Sequence, residues 1–191
     1  MGVCFRMMLS ILICTRQRVS SLDRLLRSIV DNAHDMNNIE VIIGYDYDDE
    51  ETIQFINTLE NLPNLNYKTF EFDGNGSYYC GNCKEFYLNR HKDILHPMTL
   101  MSSGDYLWGV GDDTEIKSKN FDIVMKEYIE YFLKDKPNRI LYAQAMETNR
   151  YKTQGITYCT ETNMNFACFP IITRESFEIL GFMVPLEISG P

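Results

Sequence analysis

Several features that would assign this sequence to a common class are absent from it. No run of apolar residues is long enough to cross a bilayer, so the sequence predicts no membrane span. No dense run of lysine and arginine occurs, and 27 acidic residues outnumber 18 basic ones, for a net charge of -9. Because nucleic-acid binding requires basic side chains that neutralise phosphates, we expect no nucleic-acid partner. A diphosphate ligand would need a divalent cation or a local group of arginines in this acidic protein.

Three catalytic sequence motifs are also absent. No Gly-x-Gly-x-x-Gly follows the first apolar run, which argues against a dinucleotide-dependent oxidoreductase. The Gly-x-x-x-x-Gly-Lys-Ser/Thr motif of P-loop enzymes is missing, and so is the Gly-x-Ser-x-Gly elbow of serine hydrolases. The remaining candidate chemistry therefore depends on acidic and basic side chains elsewhere in the chain.

The sequence has enough apolar residues for one core and no need of disulfide bonds. Its 191 residues are 45% hydrophobic, which suits one compact domain over residues 1–191. The six cysteines lie mostly in apolar runs, so we expect reduced thiols and a cytoplasmic location. Residues 7–14 are followed by Thr15 and Arg16 rather than by a small-residue cleavage site, which predicts a buried strand and not a signal peptide.

Strand-like and helix-like segments alternate over the first 133 residues. This alternation predicts an α/β domain with an open, mostly parallel sheet flanked by helices, whose ligands bind beyond the carboxyl ends of the strands. The helix after the first strand can begin at Ser20 or Ser21, and Gly181 is expected to end the last helix. The predicted strands are 9–14, 39–45, 67–72, 106–110, 140–145 and 166–172, and the predicted helices are 22–30, 51–60, 80–94, 120–133 and 174–180.

Polar clusters follow the first, second and fourth predicted strands. Parallel strands place their carboxyl ends at one edge of a sheet, so we expect these clusters to converge. Asp112 and Asp113 come directly after a buried strand and a glycine, where carboxylate oxygens can hold Mg²⁺ or Mn²⁺. Such an ion would bridge two phosphates and stabilise a departing nucleotide diphosphate. The three clusters are Thr15, Arg16 and Arg18; Asp46, Asp48 and Asp49; and Asp112, Asp113 and Glu115.

Each cluster also has a purely structural interpretation. A carboxylate pair such as Asp112 and Asp113 is common in solvated turns, and two nearby arginines are common beside a helix. The acidic residues 46–49 can cap the second helix and complement its dipole, which is compatible with ligand binding by one of them. Trp108, within the fourth strand, is expected in the core.

Three segments resemble the nucleotide-sugar glycosyltransferases of the GT-A fold, particularly the family-2 type. Residues 10–18 (SILICTRQR), with the helix after them, are similar to that family's opening strand. Residues 104–114 (GDYLWGVGDDT) look like its metal-binding strand end, and residues 169–182 (FPIITRESFEILGF) resemble the segment beside its acceptor site. The resemblance implies a single GT-A, Rossmann-like domain that transfers a sugar from a nucleotide-diphosphate donor to an acceptor hydroxyl with a divalent metal.

The resemblance also implies roles for individual residues. Thr15 and Arg16 would lie near the nucleotide, and Asp46 and Asp48 where the family places an aspartate that bonds the base or ribose. The family's Asp-x-Asp reads Gly-Asp-Asp at 111–113.

Because glycine replaces the first aspartate of that motif, the expected metal contact falls on the aspartates that follow. The metal, Mn²⁺ or Mg²⁺, is assigned chiefly to Asp113, with Asp112 contributing to metal and nucleotide-sugar binding. The family's catalytic base follows the Leu-Gly-Phe helix, where this chain offers Glu187. Either Glu187 is the base, or the chain is a truncated piece without it. The alternative function is a non-catalytic nucleotide-sugar-binding or interaction domain with a degenerate acidic motif.

A rival signal is the Cys-x-x-Cys of Cys80 and Cys83, with His91 and His96 downstream. The set resembles a zinc site, but the gap from Cys83 to His91 is short for a zinc finger. If 80–94 is a helix, both cysteines share one face with Tyr87 and His91 at core spacing. We therefore expect a packed helix face without zinc.

Overall fold

A six-stranded mixed sheet organises the chain in the computed structural model, which describes residues 8–72, 77–80, 85–88, 91–144, 170–181 and 183. With the strands numbered along the chain, their spatial order in the sheet is β3-β2-β1-β6-β8-β7, and β4 and β5 form a separate pair. The strands are β1 (Leu9–Thr15), β2 (Ile39–Asp46), β3 (Tyr67–Phe72), β4 (Ser77–Cys80), β5 (Glu85–Leu88), β6 (Tyr106–Gly111), β7 (Tyr142–Gln144) and β8 (Pro170–Thr173).

Four neighbouring strands form the parallel part of the sheet. β1 pairs with β2 on one side and β6 on the other, and β2 pairs with β3, all in parallel. Strand β1 is apolar along most of its length because helices cover both faces of the sheet, and Ile11, Leu12 and Ile13 are fully buried. The register aligns Thr15 with Tyr45 and Cys14 with Gly111, so the ends of β1, β2 and β6 lie at one edge.

One strand of the sheet, β8, runs against the other five. β8 pairs antiparallel with β6 and with β7, so the sheet is mixed but mostly parallel, as the sequence predicts. Strands β7 and β8 overlap the predicted segments 140–145 and 166–172, of which residues 145 and 166–169 lie outside the described residues. The reversed direction of β8 places its carboxyl end at the opposite edge of the sheet from the ends of β1, β2 and β6.

The helices follow the apolar periodicity of the sequence, with different ends. The first helix begins one residue before the predicted caps Ser20 and Ser21, with Arg18 at the N-cap position and no side-chain cap. The last ends at Gly181, whose φ of 75° suits glycine. The helices are α1 (Val19–Asn32), α2 (Glu50–Ile56), α3 (His91–Met101), α4 (Phe121–Leu133) and α5 (Arg174–Leu180), with short 3₁₀ turns at Met36–Asn38 and Leu59–Asn61.

The predicted helix over 80–94 is wrong. Strands β4 and β5 pair antiparallel there, with Ser77 aligned with Leu88, and α3 starts only at His91. The aromatic residues of these segments favour strands over helix. Helix α3 also continues through Pro97, where the sequence predicts an end, because Met98 and Thr99 are fully buried against the sheet.

Hydrophobic side chains fill both faces of the sheet. Trp108 is buried in the larger core beside Phe121, which confirms its expected place. On the other face, α3 approaches β2 so closely that a Cβ at Gly44 would lie 2.7 Å from Met98 Sδ. Among the described residues, no helix is long and apolar enough to cross a membrane.

Candidate functional site

The loops after β1 and β6 are joined by a buried hydrogen bond. Thr15, the last residue of β1, donates from Oγ1 to Asp112 Oδ2 at 2.9 Å, and both residues are buried. Directly after β6, the Thr114 N–H donates to the Gly111 carbonyl at 3.0 Å, which closes a tight turn. This turn sends Asp112 inward and leaves the Asp113 side chain 66% exposed.

Arg18 lies against the carboxylates of this turn. One guanidinium nitrogen, Nη1, is 3.2 Å from Asp112 Oδ1 and 3.7 Å from Asp113 Oδ2. Asp112 therefore has one oxygen engaged by Arg18 and the other by Thr15. The Arg18 side chain is itself 57% exposed, so it reaches the acids from the solvent side.

Arg16 joins the loops after β1 and β2 in the same way. Its Nη1 donates to Asp46 Oδ2 at 2.6 Å and to Asp48 Oδ1 at 2.7 Å, and Nη2 donates to Asp48 Oδ2 at 3.0 Å. The hydrogen bonds from Arg16 lower the pKa of Asp48, and the same bonds raise the pKa of Arg16. At neutral pH these groups are therefore ionised, and the fork geometry gives the contact a fixed direction.

A buried aspartate holds the residue between the two arginines. Asp49 Oδ2 accepts the Gln17 N–H at 2.6 Å and the Thr52 hydroxyl at 2.6 Å, and Asp49 also caps α2. Burial raises the pKa of Asp49, but the hydrogen bonds from Thr52 and Gln17 outweigh it, so the pKa is lowered. Gln17 has a φ of 55°, a left-handed conformation that turns the chain between Arg16 and Arg18. The sequence indicates Asp49 only as a helix cap and gives no signal for this second role.

The structure brings together the residues that the sequence proposes for nucleotide and metal binding. Glu115 is separate from them, since its carboxylate pairs with Lys117. Glu187, the candidate base, lies outside the described residues. The grouped residues are Thr15, Arg16, Asp46, Asp48, Asp112 and Asp113, whose roles in binding stay predictions.

The acidic turn fits a cation that shares its coordination with a ligand. Over the described ranges, no group of three or more His, Cys, Asp or Glu side chains is placed to hold a metal. The Asp113 side chain is 66% exposed and its Oδ2 lies 3.7 Å from Arg18 Nη1, so its oxygens remain accessible. Mg²⁺ and similar ions commonly bind one or two carboxylates and complete their shell with phosphates and water. Asp113 with Asp112 suits that arrangement and does not suit a site made of protein ligands alone.

The cysteine motif does not have the geometry that the sequence suggests. Cys80 ends β4 and His91 begins α3, so they do not share one helix face, and Cys83 lies outside the described residues. The absence of zinc there stays a prediction, but the packed helix face from which it was argued does not exist. Cys14, beneath the acidic edge, is a free thiol whose pKa is raised by burial and by the nearby Asp112 and Asp46.

Comparison with known proteins finds similarity in structure alone. No protein-family model matches the chain, and no curated protein sequence does. The 1–349 segment of TarS from S. aureus matches with a TM-score of 0.61 and 14% identity, over 96% of this chain and 52% of that one. The mannosyltransferase PcManGT from Pyrobaculum calidifontis, in complex with GDP-Man and Mn²⁺, matches with a TM-score of 0.64 and 12% identity, over 94% of this chain and 48% of that one.

A further match is the same TarS segment in complex with UDP-GlcNAc, with a TM-score of 0.50 and 16% identity, over 67% of this chain and 32% of that one. At these identities the likeness establishes the fold, which is the GT-A-like α/β fold of these glycosyltransferases. The chain spans about half the length of the TarS segment and of the mannosyltransferase.

Proposed function

We propose that this chain is a glycosyltransferase that binds a nucleotide-diphosphate sugar at the carboxyl edge of its parallel strands and transfers the sugar to an acceptor hydroxyl. The observation that carries the proposal is the junction of the loops after β1, β2 and β6 by Arg16 and Arg18. Each arginine links β1 to aspartates of a neighbouring strand end. In open α/β sheets this edge is where ligands bind.

The two halves of the edge suit two parts of such a donor. Asp46 and Asp48 offer carboxylate oxygens that can accept hydrogen bonds from a ribose or a base, as the family resemblance implies. Arg16 and Thr15 lie between them and the acidic turn, where a diphosphate would gain charge-assisted hydrogen bonds from the guanidinium. The donors UDP-GlcNAc and GDP-Man bound by the structural neighbours belong to this ligand class.

Asp113, assisted by Asp112, would hold the Mn²⁺ or Mg²⁺. When bound, such an ion supplies Lewis-acid stabilisation of the leaving nucleotide diphosphate. This chain's own contribution is to fix the acidic turn through the Thr15–Asp112 hydrogen bond and to keep Asp113 accessible. The Mn²⁺ in the mannosyltransferase complex supports this choice of cofactor.

The acceptor hydroxyl must lose a proton as it attacks the anomeric carbon. Glu187 is the candidate base for that proton, on the family resemblance alone. The acceptor itself, whether glycan, lipid or protein, has no assignment, and a cytoplasmic location is part of the proposal.

Calorimetric titration with UDP- and GDP-sugars tests the proposal directly. We expect binding that requires Mn²⁺ or Mg²⁺ and is weakened about 10- to 100-fold in Asp113→Asn, which keeps the size of the side chain and removes its charge. Asp112→Asn should weaken it less if Asp112 acts through water. Asp135→Asn is the matched control, because it removes the same charge from an exposed position after α4. Undiminished affinity both in EDTA and in Asp113→Asn would contradict the metal site.

A non-catalytic nucleotide-sugar-binding module is the second candidate. It is favoured by the internal neutralisation of the acids, because Arg16 and Arg18 already pair with four of them. Release of free sugar from the donor separates the two functions. A transferase should hydrolyse donor slowly in the absence of acceptor, and Glu187→Gln should reduce transfer. A binding module should release no sugar under the same conditions.

A further inference from the structure

The Arg18 guanidinium lies against both carboxylates of the acidic turn, the candidate metal ligands. It lies 3.2 Å from Asp112 Oδ1 and 3.7 Å from Asp113 Oδ2, so one positive group bridges both carboxylates. Arg16 makes no such contact, since its nitrogens are all directed to Asp46 and Asp48. Of the two arginines of the β1–α1 loop, only Arg18 therefore contacts the candidate metal ligands.

The pair is asymmetric in a way that favours exchange. Asp112 is fixed from below by Thr15 and its side chain is only 8% exposed, whereas the Arg18 and Asp113 side chains are 57% and 66% exposed. Exposed ion pairs contribute little to stability, so Arg18 can leave at small cost. Asp112 cannot follow it, because the turn after β6 and the bond to Thr15 hold it.

The backbone of Arg18 stays in place when its side chain moves. Asp49 fixes the preceding Gln17 N–H, and the Arg18 carbonyl accepts the Ser21 and Leu22 N–H groups at 3.0 Å, which anchors the start of α1. A displaced guanidinium therefore remains tethered within reach of the same edge. A diphosphate bound there is anionic and would attract it.

We propose that Arg18 is an internal counter-ion of the metal site: it neutralises Asp112 and Asp113 before the donor binds, competes with the divalent cation for them, and pairs with the diphosphate once displaced. The inference rests on the proposed function and adds a residue to its site. It explains how two adjacent carboxylates are tolerated at the edge of a protein with a net charge of -9. It also makes metal binding and diphosphate binding mutually supportive, because the cation becomes the new partner of the acids and the diphosphate becomes the new partner of Arg18.

Opposite effects on two ligands distinguish this role from a structural one. In Arg18→Gln, Mn²⁺ alone should bind about two- to fivefold more tightly, the range of an exposed ion pair converted to affinity. UDP or GDP in the presence of saturating Mn²⁺ should bind more weakly in the same variant. A variant that merely disturbs the loop would weaken both ligands. Arg18→Lys keeps the charge and should restore part of the nucleotide affinity.

Arg24→Gln is the matched control. It removes the same charge from a neighbouring position. The Arg24 guanidinium donates to the backbone carbonyl of Asp113 at 3.4 Å and not to the Asp113 carboxylate. Free Mn²⁺ measured by electron paramagnetic resonance gives the metal affinity, and calorimetry gives the nucleotide affinity. We expect a smaller gain in Mn²⁺ affinity in Arg24→Gln than in Arg18→Gln.

The outcomes separate this inference from the function on which it rests. If the unmodified protein binds Mn²⁺ and a nucleotide sugar but Arg18→Gln binds Mn²⁺ no more tightly, only the role of Arg18 is wrong. An equal gain in Arg24→Gln would also overturn it, since the cause would be the general field. If the unmodified protein binds neither Mn²⁺ nor any nucleotide sugar, the proposed function fails and the role of Arg18 fails with it.

Discussion

The two edges of the sheet carry charged residues in different ways. At the amino edge, Glu40 is almost fully buried and accepts hydrogen bonds from Ser10, Lys68, and the backbone N–H groups of Ser103 and Gly104. At the carboxyl edge, the acids pair with arginines whose side chains are about half exposed.

This difference separates a structural network from an exchangeable one. The partners of Glu40 include backbone groups that cannot leave, and a Cβ at Gly104 would lie 2.2 Å from Ser10 Oγ, so the packing there has no room for a ligand. The arginines of the carboxyl edge can exchange their carboxylates for phosphates. Burial and backbone partners thus mark the edge that holds the fold, and exposed ion pairs mark the edge that is available for binding.

The largest expected effect is at the amino edge. Glu40→Gln should lower the free energy of unfolding by about 3 kcal/mol, because it removes the charge that the buried donors surround. Urea denaturation measures the loss, and Glu127→Gln on the exposed face of α4 is the control. Nucleotide affinity of the folded variant should change little. A loss in Glu40→Gln no larger than in the control would contradict the structural role of the amino edge.

The pH dependence of stability should also reveal the contribution of Glu40. Burial raises the pKa of Glu40, but the hydrogen bonds from Ser10, Ser103 and Lys68 outweigh it, so the pKa is lowered. A lowered pKa in the folded state means that the stabilisation is present above the ordinary pKa and is lost as the pH falls through the folded value. The stability difference between the unmodified protein and Glu40→Gln should therefore shrink in acid. A constant difference down to the acid transition would contradict this.

An intermediate effect is expected at Asp49, which is buried but lies at the carboxyl edge. Asp49→Ala removes the cap of α2 and the acceptor of the Gln17 N–H, and should lower the free energy of unfolding by about 1–2 kcal/mol. It should also weaken nucleotide binding, because Arg16 and Arg18 lose their fixed loop. Asp35→Ala, which removes the cap of a 3₁₀ turn, is the control and should leave binding unchanged. Equal binding in both variants would remove Asp49 from the site.

The smallest effect is expected at Gln17. Gln17→Gly should raise the free energy of unfolding by about 0.5 kcal/mol, since glycine adopts the φ of 55° without strain but loses more chain entropy. Gln17→Ala keeps the strain and serves as the control. Denaturation in urea distinguishes the two, and a lower stability of Gln17→Gly than of Gln17→Ala would show that the backbone is not strained there.

The sequence predicts the central elements well because their signals are local. The apolar runs of β1, β2 and β6 are long enough to indicate buried strands, α1 and α4 have clear periodicity, and Gly181 ends α5. The pairing of β4 with β5 is not predicted, because Cys80, Cys83, Tyr87 and His91 also fit the spacing of one helix face. The path of α3 through Pro97 depends on burial against the sheet, which no local signal gives.

What the sequence by itself determined is which charged residues follow which strands, and therefore that Arg16, Asp46 and Asp112 would meet at one edge. Tertiary structure alone decided how the charges pair: Arg16 with Asp46 and Asp48, Arg18 with Asp112 and Asp113. Any arginine can pair with any of these aspartates, so residue type cannot select the partner. The selection depends on the left-handed turn at Gln17, held by Asp49 from a position 32 residues away. Such a contact is made only when the sheet is assembled.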